Sequence, residues 1–245
     1  PHFIIIAGSA LNWDSTVTNN ISVWYDATLP VQSDWDPHNS SVLYTNHPTI
    51  TFNTNEDAIC RWALSDLSFD DMSNDCGTIY RTNHICYTEG LSEGTEIVYL
   101  ACKDEAGNKD NATTNTHLNY QIILPVHNLD TGEKFESIQE AIDDVDTLDG
   151  HTIEVIEFTF IENIDMNKSL NLIGAGREYS IIRAADPLDH VLDIQGGTEN
   201  VKIKGFTITG ASGPPGKFGI HSSHSDNLII EDLNVSNNYY GIRLE

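Results

Sequence analysis

Positive charge is scarce in this sequence: 12 Lys and Arg stand against 37 Asp and Glu, a formal net charge of −25 over 245 residues. A surface of that sign repels phosphate backbones and anionic lipid heads, which sets the chain against nucleic-acid and membrane-surface binding. It suits solubility, divalent cations or a salty medium, and does not choose among them. Long apolar runs are also missing. None approaches the roughly 20 residues that a membrane-spanning helix needs. The apolar start, Ile4-Ile5-Ile6, is too short for a signal peptide and has no basic flank. The chain opens on Pro1 rather than Met, as expected of a piece processed or excised from a longer precursor, so the missing signal does not argue for the cytoplasm. Closely spaced cysteine pairs are absent too. Cys60, Cys76, Cys86 and Cys102 show no zinc-ribbon spacing, and no His sits at a finger-like offset from Cys102.

What is present begins with those cysteines. An even number, gathered in one β-rich stretch, reads as two disulfides and hence an oxidising compartment; the bland alternative is four buried free thiols. Short runs rich in Val, Ile, Thr and Tyr, bounded by Gly, Asn, Asp and Pro, fill residues 1–124: 3–6, 21–25, 49–53, 58–64, 85–88, 96–103 and 118–124. That is the pattern of a β-sandwich.

Ala58-Ile59-Cys60-Arg61-Trp62, Leu91-Ser92-Glu93-Gly94-Thr95, Val98 through Asp104 and Ala106-Gly107-Asn108 resemble the immunoglobulin-like repeats of bacterial and archaeal surface proteins over about residues 30–124. The resemblance implies that Cys60 and Cys102 lie on facing strands with Trp62 near their bridge, and that Cys76 and Cys86 tie off the intervening loop. Residues 1–29 fit this module poorly and resemble the last strands of a preceding one. They belong to a longer array, or complete a sheet on this module or on a neighbouring molecule.

Pro125 and Asp130-Thr131-Gly132 mark a boundary, and a helix follows. Ser137 with Glu140 makes a capping box. Ile138, Ala141, Ile142 and Val145 recur at helical spacing, and Asp149-Gly150 ends the helix. Beyond Gly150 the apolar period falls to two and an internal repeat emerges. Asn200 through Thr209 aligns with Asn227 through Ser236, and Ser169 through Gly174 fits the same template one coil earlier. Between them, Val191-Leu192-Asp193-Ile194, Gly219-Ile220-His221 and Gly241-Ile242-Arg243-Leu244 form a second recurring strand. Two alternating strand types describe the coils of a solenoid, each burying its apolar side chains by stacking on the next.

Phe135 through Ile142, Asp149 through Val155, Glu162-Asn163-Ile164, Asn167 through Leu170 and the repeats after them resemble pectin-lyase-like right-handed parallel β-helix proteins. In that family a short helix caps the N-terminal end of the solenoid. One departure is Ile156-Glu157-Phe158-Thr159-Phe160, where many members carry Pro-Gly before an aromatic residue. The expected fold class is therefore all-β: residues 1–29 as the end of a preceding module, 30–124 as an immunoglobulin-like β-sandwich, and 125–245 as the start of an N-terminally helix-capped right-handed parallel β-helix. The chain stops at Glu245 about four coils in, and an uncapped solenoid end invites either further coils or another copy.

Candidates for chemistry are few. Stacking of the second recurring strand puts Asp193, His221 and Arg243 on successive coils, pointing outward because Leu192, Ile194, Ile220, Ile242 and Leu244 point in. These three are the catalytic candidates; hydrolases of this fold use two carboxyl groups about 5 to 10 Å apart. The bland reading is a solvated exterior with favourable charge alternation. Glu231 and Asp232 form another exposed pair. The paired-Asp and His-Gly signatures of polygalacturonases and the Arg-Pro-rich signature of pectate lyases are absent. For metals, Asp143, Asp144, Asp146 and Asp149 gather at the helix end, and Asp104, Asn108 and Asp110 gather in a turn; neither has EF-hand ligand order, so weak Ca²⁺ is the most either offers. His221 and His224 have no chelate spacing. Trp62 reads as core, and Trp35 as an exposed aromatic that stacks on sugars or has no role. Sequons stand at Asn20, Asn39, Asn111, Asn167 and Asn234 and permit glycosylation. The expected function is that of a secreted or cell-surface structural or adhesive glycoprotein: a layer, sheath or filament subunit whose partners are its own copies, other surface proteins or polysaccharide. It carries no catalysis in this segment. The rivals are the N-terminal part of a polysaccharide lyase or hydrolase, and a carbohydrate-binding module.

Overall fold

The computed structural model describes residues 26–214 and 216–245. The runs at 3–6 and 21–25, and the sequon at Asn20, lie outside the described residues. The chain divides into two compact units, the second beginning at Ile123.

In the first unit, the stretches expected as separate strands at 49–53 and 58–64 are one long strand. Strand β1 spans Gln32–Asp36, β2 Val42–Leu43, β3 Thr49–Ala63, β4 Asn74–Asp75, β5 Arg81–Tyr87, β6 Gly94–Asp104 and β7 Thr116–Ile122. Their order is β1-β3-β6-β7-β2, with β4 and β5 also on β3. The polar centre of β3, Thr54-Asn55-Glu56-Asp57, reads as a turn in sequence. In the fold it is where the strand changes partner. Residues 49–53 pair with β5, a register shift follows, and Ala58–Ala63 pair with β6. Alternation then does its usual work: Ile50, Phe52, Val98, Leu118, Tyr120 and Ile122 are buried while their sequence neighbours are more exposed.

The structure pairs Cys60 with Cys102 and Cys76 with Cys86. Cys60 and Cys102 are not on facing strands. They are direct partners on the adjacent, hydrogen-bonded strands β3 and β6, with Cα atoms 4.1 Å apart. Trp62, two residues along the same face, is buried. Under the bridge Asp110 is buried and accepts from the Cys102 N–H (2.8 Å) and Gln32 Nε2 (3.3 Å). Burial nevertheless holds its carboxyl above the usual range.

The second unit is a parallel β-helix. Each coil has three strands rather than the two read from sequence. The first coil holds β10 (Thr152–Val155), β11 (Phe158–Ile161) and β12 (Ile164–Met166). The second holds β13 (Asn171–Ile173), β14 (Ser180–Arg183) and β15 (Leu192–Ile194). The third holds β16 (Lys202–Lys204), β17 (Thr207–Thr209) and β18 (Phe218–Ser222), and the fourth β19 (Ile229–Glu231), β20 (Asn234–Val235) and β21 (Tyr240–Leu244). Corresponding strands pair in parallel register: Asn171, Lys202 and Ile229 are aligned, as are Ile181, Thr207 and Asn234. The apparent single strand 200–209 is β16 and β17 meeting at a tight Gly205-Phe206 corner.

Coil stacking is held by ladders as well as by apolar burial. Ile153, Leu172 and Ile203 lie beneath one another in the first sheet and are wholly buried. Asn200 and Asn227, both with left-handed backbone, stack at the same corner, and Asn227 Nδ2 donates to Asn200 Oδ1 at 3.2 Å. The N-terminal end is closed. Strand β8 (Val126–Asn128) adds antiparallel to β10, and β9 (Lys134–Phe135) adds antiparallel to β8. Helix α1 (Ile138–Asp143) buries Ile138, Ala141 and Ile142 in the helix core. Its capping box is formed in both directions.

Helix α1 is shorter than expected, and Val145 is 82% exposed rather than covered. Asp143, Asp144 and Asp146 place negative charge at the negative end of the helix dipole, which favours termination there. Glu162 supplies what no local pattern announces: its two oxygens accept from the Ile138 and Gln139 N–H groups at 3.1 and 3.0 Å.

Candidate functional site on the third sheet of the helix

The third sheet runs β12-β15-β18-β21, and its outward residues align across the coils as Asp165, Asp193, His221 and Arg243. The fold thus brings together Asp193, His221 and Arg243 and adds Asp165, which carries the row one coil further. Neighbouring rungs sit one strand spacing apart, about 4.8 Å. His221 Nδ1 and Asp193 Oδ1 are 2.8 Å apart, so the middle of the row is a hydrogen-bonded pair. Arg243 pairs with Glu245 and lies over the Phe218 ring, 5.5 Å from its centroid.

Beside the row runs a second, aromatic ladder that sequence reasoning missed. His190 stacks on His221 at 4.5 Å between centroids and 11° between planes, and on Phe218 at 5.5 Å. Phe218 stacks in turn on Tyr240 at 5.0 Å, and Tyr239 meets Tyr240 edge-on. The signal was legible. His190-Val191-Leu192, Phe218-Gly219-Ile220 and Tyr240-Gly241-Ile242 each put an aromatic ring two residues before an inward apolar residue. The His190 ring is fixed by the Phe218 N–H, which donates to its Nδ1 at 3.0 Å, and the preceding loop by Asn163 Nδ2, which donates to the His190 carbonyl at 2.6 Å.

Electrostatics follow from this packing. Burial, then Asp193, Asp189 and Asp143 nearby, raise the Asp165 carboxyl. Burial, then the charges of Lys217 and His221, lower His190. Asp189 is partly desolvated, yet the His190 N–H and the Lys217 ammonium (3.2 Å) hold it below the usual carboxylate range. The row offers a carboxyl shifted toward its protonated form, a hydrogen-bonded His–Asp pair and a cation in line, a set able to bind an oxygen-rich ligand.

The remaining sequence candidates scatter. Glu231 is ion-paired with Lys202 at 3.1 Å, and Asp232 with Arg177 at 3.5 Å, as a solvated flank would be. Each acidic cluster comes together only in part: Asp144 lies near Asp146, and Asn108 donates to Asp104. Asp143 accepts from Gln139 and Asp149 from the Ser169 N–H, while Asp110 turns inward. Among the described residues two carboxylate trios that share members with these clusters could hold a cation, each with oxygens within 4.8 Å of one another: Asp26, Glu56 and Asp104, and Glu133, Asp144 and Asp146. Burial, then Asp26 and Asp104, raises Glu56. Trp35 is half-buried with its indole N–H enclosed, so it is no open platform for a sugar. His221 is turned to Asp193 and does not chelate with His224. Asn39, Asn111, Asn167 and Asn234 are all exposed.

No family model matches the chain. Its sequence is 38% identical over 122 residues to a cell surface glycoprotein of Methanothermus fervidus, covering 47% of this chain and 19% of that protein. The chain therefore spans about a fifth of the relative it matches. A Yersinia enterocolitica family 28 exopolygalacturonase aligns over 78% of this chain and 41% of its own at 10% identity and a TM-score of 0.25, a likeness too low to bear on fold or activity. Two disulfides and a surface-borne relative make this a secreted or cell-surface protein.

Proposed function

We propose that this chain is a structural segment of a surface coat, sheath or filament, in which a disulfide-braced immunoglobulin-like module is joined to a β-helical rod. The observation that carries the reading is the 38% identity to a protein named for its place on the cell surface. Two features support it. A solenoid closed at one end by α1, β8 and β9 offers long repetitive outer faces suited to lateral contacts. The four exposed sequons suit a glycosylated exterior. Its partners in this reading are other copies and other surface proteins. The immunoglobulin-like assignment of the first unit draws support from its mainly antiparallel strands and from β3 serving two sets of partners, while the Cys60–Cys102 bridge departs from it by joining adjacent strands. Electron microscopy of native envelopes and of the purified parent protein tests the proposal. Ordered sheets or filaments with density for this segment at inter-subunit contacts support it; monodisperse particles under all assembly conditions overturn it.

A second reading, a polysaccharide-cleaving segment, is favoured by one observation: Asp165 and Asp193 are in-register carboxylates with His221 beside them. Release of reducing ends or unsaturated products from a polysaccharide panel, abolished by Asp193→Asn, would support it.

A further inference from the structure

The first unit carries a cleft that neither the row of charged residues nor the coat reading uses. It has a volume of about 810 Å³, inside the range of about 300–1,000 Å³ typical of small-molecule sites. The end of β3 lines it, where Trp62 is almost wholly buried. One wall is β4, with Asn74 and Asp75; the other is the end of β5, where the Tyr87 ring stands 70% exposed with Glu89 beyond it. A second cleft of about 460 Å³ takes in Asn46, His47, Thr49 and Thr88. Tyr87, Glu89 and Gly90 line both. The exposed tyrosine is therefore common to two adjoining hollows.

The disulfides explain why these walls stay in place. Cys76 follows Asp75 directly and Cys86 precedes Tyr87, so the Cys76–Cys86 bridge fixes one wall against the other. The Cys76 N–H donates to the Cys60 carbonyl at 2.9 Å, and Asn74 Nδ2 to the Trp62 carbonyl at 3.3 Å, which seats the first wall on β3. The Thr88 hydroxyl donates to the Pro48 carbonyl at 2.6 Å and holds the second. A cleft braced in this way loses little freedom on binding.

We propose that the double cleft binds a neutral oligosaccharide laid across the Tyr87 ring. A sugar chain presents apolar ring faces alternating with hydroxyl edges. The cleft presents an exposed amphipathic ring, beside a largely buried Trp, together with carboxylate, amide and hydroxyl groups. Charge sets the class. Asp75 and Glu89 line the cleft, and the only guanidinium bonded to either is Arg61, 2.9 Å from Asp75, among the described residues. With a chain charge of −25, uronate, sulfated and phosphorylated glycans are repelled.

Titration of the full ¹⁵N-labelled chain with cellotriose, maltotriose and chitotriose, with trigalacturonate as the acidic comparison, tests this. At least one neutral trisaccharide should shift the Trp62 indole and the amides around Tyr87 at about 10 mM or below. Tyr87→Ala should weaken binding at least roughly tenfold, about 1.4 kcal/mol, while Tyr87→Phe retains it. Tyr87 is exposed, so both variants should keep the parent's thermal melt, and a melt shift would be met by repeating the comparison with Glu89→Gln. No shift from any neutral sugar, equal binding of trigalacturonate, or unchanged affinity in Tyr87→Ala would overturn the proposal. Each of those results leaves the coat reading standing, because that reading makes no use of the cleft.

Discussion

Gly205→Ala should damage the β-helix far more than another Gly→Ala change with the same backbone conformation. Gly205 has φ +80°, and a Cβ there would lie 2.7 Å from the Gly174 carbonyl oxygen of the coil before and 3.3 Å from the Gly176 nitrogen. Gly132, in the turn between β8 and β9, has φ +81° and nothing within 4 Å of the same atom. Alanine at either position meets the left-handed penalty of about 1–2 kcal/mol. Only Gly205 adds a clash with backbone, which cannot turn aside as a side chain can, at about 1–3 kcal/mol more. The expected losses are about 1–2 kcal/mol for Gly132→Ala and about 2–5 kcal/mol for Gly205→Ala. Because Trp13, Trp24, Trp35 and Trp62 all precede the helix unit, tryptophan fluorescence reports the first unit. Far-UV circular dichroism reports both. Gly205→Ala should move the far-UV transition in urea and leave the fluorescence transition in place. Equal losses at the two glycines would refute the close coil-on-coil approach at this corner.

Removing Cys76–Cys86 by a double Ser substitution should cost about 3 kcal/mol and removing Cys60–Cys102 about 4 kcal/mol, from the chain entropy of loops closed across separations of 10 and 42 residues; the fluorescence-detected urea midpoints measure both. His84 is buried against Phe52 and Thr54, and burial, then Arg81, lowers it to about 4. The unfolded chain takes up this proton near the ordinary value of about 6.5 and the folded one only near 4, so stability is full above that window and falls as pH drops through it. Up to about 3 kcal/mol is at stake, and a His84→Gln chain should show a flatter stability profile between those limits. Glu162→Ala should strip two N–H groups of α1 of their acceptor, cost about 1–2 kcal/mol and speed hydrogen exchange at Ile138 and Gln139.

The parts of the fold that repeat or cap locally were legible. The offset of 27 residues between the Asn200 and Asn227 segments is the register in which Lys202 meets Ile229, and the Ser137–Glu140 box forms as its spacing requires. What failed were readings in which a short local signal had to compete with packing elsewhere. Thr54-Asn55-Glu56-Asp57 has turn composition, yet partners on both sides of it hold β3 extended through a register shift. Val145 is in phase with Ile138 and Ala141, but the flanking carboxylates stop the helix before its phase matters. The third strand of each coil was hidden because the corner at Gly205 needs no polar break: a left-handed glycine turns the chain within two residues.

The outward row shows why a site on a solenoid is easier to find than to interpret. Parallel register turns a pattern along the sequence into a column in space, so Asp193, His221 and Arg243 were readable as neighbours from Leu192, Ile220 and Ile242 alone. Asp165 belongs to the same column through Ile164-Asp165-Met166, but β12 lacks the Gly-Ile of the third and fourth coils, and alternation over three residues is a weak sign. The aromatic ladder was equally periodic, and was missed because its rings lie just outside the alternating core, where aromatic residues usually need no account. Its effect on the row is direct. His190 stacks on the His221 imidazole, whose Nδ1 lies 2.8 Å from Asp193 Oδ1. Replacing His190 by Ala should therefore free the His221 ring. If the pair with Asp193 depends on this packing, the His221 ¹⁵N resonances should lose their hydrogen-bonded tautomer signature while those of Asn200 and Asn227 stay unchanged. An unaltered His221 signature would mean that Asp193 alone orients the ring and that the aromatic ladder serves coil packing only.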